Sequence, residues 1–139
     1  MNLITDRTWD DVLQGTDKGH YGPGDLNRVE QAVEELYAMG KALGLAPVGQ
    51  IKTNWGVPGP FSAESWPTQG QMQRYLANIT HLCEAVALEK ELPVTMENLT
   101  IDGANSIEQA LLLTYTRLEN MLQNLRFSGE IFAGEENVL

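Results

Sequence analysis

The chain has 139 residues, one cysteine, two histidines, and nineteen acids against nine bases for a formal charge of -10. A lone cysteine excludes an intrachain disulfide, and with two histidines it does not by itself fill a structural zinc site. Acidity of this size opposes a phosphate backbone and an anionic membrane surface alike, so no nucleic-acid partner is expected.

At this length one domain over residues 1–139 is predicted, burying roughly two-thirds of the surface that the unfolded chain exposes. The start, Met1-Asn2-Leu3-Ile4-Thr5-Asp6-Arg7, has no basic flank followed by an apolar core and reads as no secretory signal. The longest unbroken aliphatic run, Ala110 to Leu113, falls far short of a bilayer span, so no membrane insertion is expected.

Residues 1–24 read as an irregular N-terminal segment. In Thr8-Trp9-Asp10-Asp11 the threonine is placed to cap a brief helix, with Asp11 at the third position. Gly15, Gly19, Gly22, Pro23 and Gly24 then read as loop, with His20 and Tyr21 displayed on it. No Gly-Lys-Ser/Thr follows, so Gly22-Pro23-Gly24 is read as a turn and not as a phosphate cradle.

A helical core is predicted over 25–126. Its first long helix starts near Asp25, carries Leu26, Val29, Val33, Leu36 and Leu43 on one face, and closes at Gly44. Glu30, Glu34, Glu35 and Lys41 fall mostly on the solvated side. Residues 45–67 are the least regular stretch, and Pro58, Pro60 and Pro67 forbid a helix there. Trp55, Phe61 and Trp66 fall on it, and aromatics on a long loop either close over their own core or face a partner.

The second helix has a capping-box start, Thr68 with Gln71 three residues on, followed by Met72, Leu76, Ile79, Cys83 and Val86 on one stripe widened by Tyr75 and Leu82. Cys83 therefore reads as a buried, inert thiol, and His81, two residues away, points elsewhere. This helix should end before Pro93. Thr100 is placed to cap the third helix, which reads in sevens as Ala104, Leu111, Leu118 and Leu125 beside Ile107, Thr114 and Met121, about three heptads with one polar flaw. Leu112, Leu113 and Leu122 widen its apolar arc, as for a helix that sits centrally or meets a second chain.

The last residues, 127–139, hold Phe127-Ser128-Gly129-Glu130 and Phe132-Ala133-Gly134-Glu135 and read as an extended arm or small hairpin that carries Ile131 and Phe132. The fold class predicted is mainly α, with three long helices in a small bundle, long irregular connectors and this arm.

One stretch occurs twice. Asn27-Arg28-Val29-Glu30-Gln31-Ala32 returns as Asn105-Ser106-Ile107-Glu108-Gln109-Ala110, each near the start of a long helical run, where a short Asn side chain suits orphan backbone groups and an acid suits the helix dipole. Neither copy pairs a nucleophile with a base. No His-Glu-x-x-His, Gly-x-Ser-x-Gly or Gly-x-Gly-x-x-Gly occurs, so no catalytic, cofactor or metal residues are assigned and an enzyme is not expected. Asn78-Ile79-Thr80 and Asn98-Leu99-Thr100 match glycan acceptors, discounted because the first lies in a predicted helix and no export signal is read.

Taken in order, several segments resemble a small protein encoded in the tail modules of phages and prophages of Gram-positive bacteria. They are Asn2-Leu3-Ile4-Thr5-Asp6-Arg7-Thr8, Asp25-Leu26-Asn27-Arg28-Val29-Glu30, Lys52-Thr53-Asn54-Trp55, Pro67-Thr68 with Tyr75-Leu76-Ala77-Asn78-Ile79, Ala104-Asn105-Ser106-Ile107-Glu108, and Ser128-Gly129-Glu130. The chain departs from that pattern at Asn54 and Gly103, where the family usually has acids, and in a shorter segment between Thr8 and Tyr21.

The resemblance implies a non-enzymatic structural or adaptor subunit near the baseplate or tail fibres. Such a subunit is made in the host cytoplasm, retained in the virion and present in several copies against other tail proteins. Trp55, Phe61, Trp66, Ile131 and Phe132 are its candidate interface residues. The alternative is a cytoplasmic assembly chaperone or regulator that never enters the particle.

Overall fold

A computed structural model describes the backbone of residues 2–52 and 67–138 and the side chains of 2–52 and 67–125. The protein is mainly helical, with α1 at Trp9–Gln14, α2 at Pro23–Ala42, α3 at Gln69–Ala85 and α4 at Ile101–Val138. Short 3-10 turns cover Asp17–Gly19 and Ala46–Gln50, and no strand occurs among the described residues. The long helices α2, α3 and α4 each pack against the other two, and the turn at Ala46–Gln50 lies on α3 and α2.

Local chemistry sets most of the helix ends. Thr8 caps α1, its hydroxyl accepting from the Asp11 N–H while the Asp11 carboxylate accepts from the Thr8 N–H. Thr68 and Gln71 exchange the same pair of bonds at the start of α3. At α4 the Thr100 hydroxyl accepts from the Gly103 N–H at 2.9 Å.

Helix α2 begins two residues earlier than the sequence predicts. Pro23 occupies its first turn, where the missing N–H costs nothing, and Asp25 sits at the third position, accepting from the Gly22 N–H at 2.8 Å. Its other end closes where expected. Gly44 turns left-handed at φ 70°, and the Leu45 and Gly44 N–H groups return to the carbonyls of Gly40 and Lys41.

The same closure ends α3, with Ala87 at φ 53° doing the work usually given to glycine. Arg117 of α4 reinforces it, donating to the Val86 and Ala87 carbonyls at 2.9 and 2.8 Å, where a cation suits the negative end of the helix dipole.

The core follows the predicted stripes. Leu26, Val29, Val33 and Leu36 from α2 meet Tyr75, Leu76, Ile79 and Leu82 from α3 and Ile107, Leu111 and Leu118 from α4, with Val48 filling from the connector. Gly40 lets that connector approach, because a Cβ there would lie 2.7 Å from a Val48 methyl. Cys83 is buried, as its place on the stripe predicts. Burial pushes its thiol above the usual range, while the hydroxyl of Thr114, the polar flaw in the α4 seam, acts in the other direction.

Two expectations are corrected. The backbone of 127–138 continues α4 as helix and is neither an extended arm nor a hairpin. Gly129 and Gly134 cost roughly 1 kcal/mol each against alanine, but no proline removes a ladder hydrogen bond, so the helix propagates through both. Tyr21 is not displayed on the N-terminal loop: it packs against the core, and its phenol hydrogen-bonds that of Tyr75.

Candidate functional site

The most concentrated polar chemistry in the described residues lies where the N-terminal segment crosses α2 and α4. Arg7 arrives on an extended strap, Asp25 and Arg28 come from the first turns of α2, and Glu108 comes from the third turn of α4. Glu108 is fully buried, and Arg7 and Asp25 are nearly so. Two guanidinium groups face two carboxylates, so the formal charge of the cluster is balanced.

Every carboxylate oxygen in it is engaged. Glu108 Oε1 accepts from Arg28 Nε at 2.7 Å and from the Ile4 N–H at 3.0 Å, and Oε2 accepts from Arg7 Nη2 and, at 2.9 Å, from Arg28 Nη2. Asp25 Oδ1 accepts from Arg28 Nη2 at 2.6 Å and Arg7 Nη2 at 3.2 Å, leaving Oδ2 for the Gly22 N–H. These bonds raise the Arg28 pKa, the hydrogen bond that Arg28 donates to Glu108 contributing most and burial opposing it. The Arg7 guanidinium also lies 5.5 Å from the centre of the Tyr21 ring. Burial lifts the phenols of Tyr21 and Tyr75 well above their ordinary range.

Beside the charges lies a neutral clamp. Asn105 Oδ1 accepts from the Arg7 N–H at 3.0 Å and Asn105 Nδ2 donates to the Arg7 carbonyl at 2.9 Å, so one amide satisfies both main-chain groups of an extended residue. Asn78 on α3 does the same to Lys52, at 3.0 and 2.9 Å. Asn78 is only 1% exposed, which closes it as a glycan acceptor in the folded chain.

The echoed hexapeptide meets itself at this node. Val29, Ile107 and Ala110 are fully buried, Ala32 nearly so, and Arg28 of the first copy pairs with Glu108 of the second. The dipole and capping roles expected for the second copy are replaced by long-range ones: Asn105 serves the backbone of Arg7, 98 residues away in sequence, and not that of its own helix.

Two surface clefts flank the node. The first, of about 760 Å³, runs between α1 and the start of α4 past Trp9, Val12, Lys18, Tyr21 and Ile101. Two of its polar groups are engaged within the chain, Thr8 by Asp11 and Lys18 by Asp6 at 2.9 Å. The exposed Lys18 ammonium holds the Asp6 carboxyl below its usual range. The second cleft, of about 630 Å³, is floored by Leu26, Met72, Leu76, Met96 and Leu99. Among the described residues no three of His, Cys, Asp and Glu gather as a metal ion would require. His81 Nδ1 lies 3.4 Å from Glu84, on a different side of α3 from Cys83.

Of the residues singled out as contact candidates, Trp55, Phe61 and Trp66 lie outside the described residues. Ile131 and Phe132 lie on the helical backbone of α4, with their side chains outside the described ones. Exposed apolar surface is found elsewhere, on α1: Trp9 is 65% exposed, Leu13 70% and Val12 39%, at i, i+3 and i+4 on one face. That spacing was legible in the sequence but spans only six residues, too few for periodicity to stand out.

No known protein family matches the chain, and neither a curated protein nor a solved structure is similar to it.

Proposed function

We propose that this chain is a non-enzymatic structural or adaptor subunit of a phage tail, in the baseplate or tail-fibre region, working through contacts with other tail proteins and with copies of itself. The observation that carries the reading is where the segments resembling tail-module proteins fall in the fold. Arg7, Asp25, Arg28, Asn105 and Glu108 belong to three of those segments and form the ionic node; Lys52 and Asn78 belong to two others and form the second clamp. Segments scattered along the sequence thus meet at the contacts that hold the fold.

The buried charge supports the same reading from the chemical side. A carboxylate whose oxygens are all held by guanidinium and backbone donors has no free lone pair positioned for proton transfer, which suits a structural role. The uncovered face of Trp9, Val12 and Leu13 offers the apolar anchors on which interfaces concentrate their energy, and Trp55, Phe61, Trp66, Ile131 and Phe132 remain candidates for further contacts.

Mass spectrometry of purified tails tests the proposal. The chain is expected there at a fixed ratio to the other tail proteins, with Trp55→Ala plus Phe132→Ala folding normally but lowering that ratio. A chain abundant in the infected lysate and absent from purified tails would instead be an assembly chaperone.

A further inference from the structure

The link from α3, which ends at Ala85, to α4, which begins at Ile101, lines two adjoining clefts. One is the cleft of about 630 Å³ floored by Leu26, Met72, Leu76, Met96 and Leu99, and a smaller one of about 400 Å³ shares Thr95, Glu97 and Leu99 with it. Met72, Met96 and Leu99 are only partly buried, and Val94, which also lines the larger cleft, is 98% exposed. A concave apolar surface of this kind marks a binding site, and methionine side chains let it adapt to what it receives.

The charges around it are of one sign. Among the described residues that line the two clefts the charged ones are Glu91, Glu97 and Asp102, all exposed, with no lysine, arginine or histidine beside them. None of the three carboxylates has an ionic partner among the described residues. Charge therefore selects the occupant. Unmatched acids beside an apolar floor disfavour a second copy of a chain whose formal charge is -10, and complement a segment that carries lysine or arginine beside aliphatic side chains.

We propose that these clefts receive a basic, amphipathic segment of a partner protein, its aliphatic side chains seated between Met72, Met96 and Leu99 and its cations against Glu91, Glu97 and Asp102. This deepens the reading of the chain as an adaptor subunit, and rests on it for taking the occupant to be another protein. The test uses the isolated full-length chain, so its failure is distinct from absence of the chain from purified tails.

Calorimetric titration and amide NMR with a synthetic amphipathic peptide of leucine and lysine, about 14 residues long, decide it. At about 0.15 M salt, attraction beyond ~8 Å is screened. The peptide is expected to bind and to shift the amides of Val94, Met96 and Glu97. Glu91→Gln with Glu97→Gln should weaken binding about 5-fold or more, whereas Glu34→Gln with Glu35→Gln, exposed on α2 and outside both clefts, should leave it within ~2-fold. Both pairs change the net charge equally, and all four positions are exposed, so both variants keep the cooperative melt of the bundle by circular dichroism. A peptide with serine in place of leucine should bind at least ~10-fold more weakly. Equal weakening by the two pairs, or equal binding of the serine peptide, would reduce the effect to attraction by overall charge and overturns the proposal. So does a chain that leaves the leucine peptide unbound at about 1 mM. Shifts at Val94 and Met96 that grow with protein concentration alone would give the clefts to a second copy and overturn it as well.

Discussion

The N-terminal strap at Arg7 and the connector at Lys52 are held by the same device, one asparagine amide bonded to both main-chain groups of an extended residue, yet their surroundings are opposite. Asn105 works at the edge of four ionised side chains, whereas Asn78, itself 1% exposed, stands next in the chain to the buried Ile79 and holds the residue that follows the buried Ile51. An amide clamp is tolerant of context because it is neutral and its donor and acceptor are both used. A buried charge is not, since it holds only while its counter-charge stays in place. The two regions should therefore fail differently, the strap through its charges and the connector through its amide.

The largest effect is expected at Glu108. Glu108→Gln keeps the volume but leaves Arg7 and Arg28 sharing Asp25 alone, and removing one partner of a buried ion pair costs about 3–5 kcal/mol. In a domain whose whole stability is of order 5–15 kcal/mol, urea denaturation should show a large drop in midpoint. If the midpoint moves by less than about 1 kcal/mol in equivalent stability, water already screens the node and the contrast between the two regions disappears.

Next in size are the clamps themselves. Asn78→Ala leaves the Lys52 N–H and carbonyl without their partners, at about 1–3 kcal/mol. Asn105→Ala removes the matching pair of bonds from a half-buried site where water can replace them, and should cost less. Equilibrium unfolding of the two variants measures the difference. Equal losses would mean that the deeper burial of Asn78, against the half-buried Asn105, does not set the cost of losing the clamp.

Why the long helices were legible in the sequence, and the node was not, follows from the range of the interactions. Thr68 with Gln71, Thr8 with Asp11 and Gly44 act within one turn, and the stripes of α2 and α3 repeat within a few residues, so their signals lie side by side in the chain. Ile4 reaches Glu108 across 104 residues, and the strap that carries it has no periodicity to reveal its partner. The echoed hexapeptide marked the right places, but its polar members were assigned to helix ends because local capping is the commoner use of an early asparagine or acid. At 127–138 the two glycines argued for turns, while the absence of proline, the weaker signal by eye, decided for helix.

The smallest effect near neutral pH belongs to the phenol pair that ties the two regions together, Tyr21 beside the strap and Tyr75 on α3. Burial is the main cause of the raised pKa at both, and the hydrogen bond between them lowers that of Tyr21 while raising that of Tyr75. Both stay protonated in the native chain at a pH where an unfolded phenol, titrating near 10, has begun to ionise. The unfolded state then binds fewer protons than the native one, so this contribution is complete below about pH 10 and is lost as pH rises beyond it, at under about 1 kcal/mol at pH 10 itself. Urea midpoints measured between pH 8 and 11 should fall at the alkaline end, and Tyr21→Phe, which removes one phenol and the bond between the pair, should flatten that fall. A profile equally steep in the variant would assign the alkaline loss to other groups, the buried Cys83 thiol first among them, and would detach the phenol pair from the link between strap and connector.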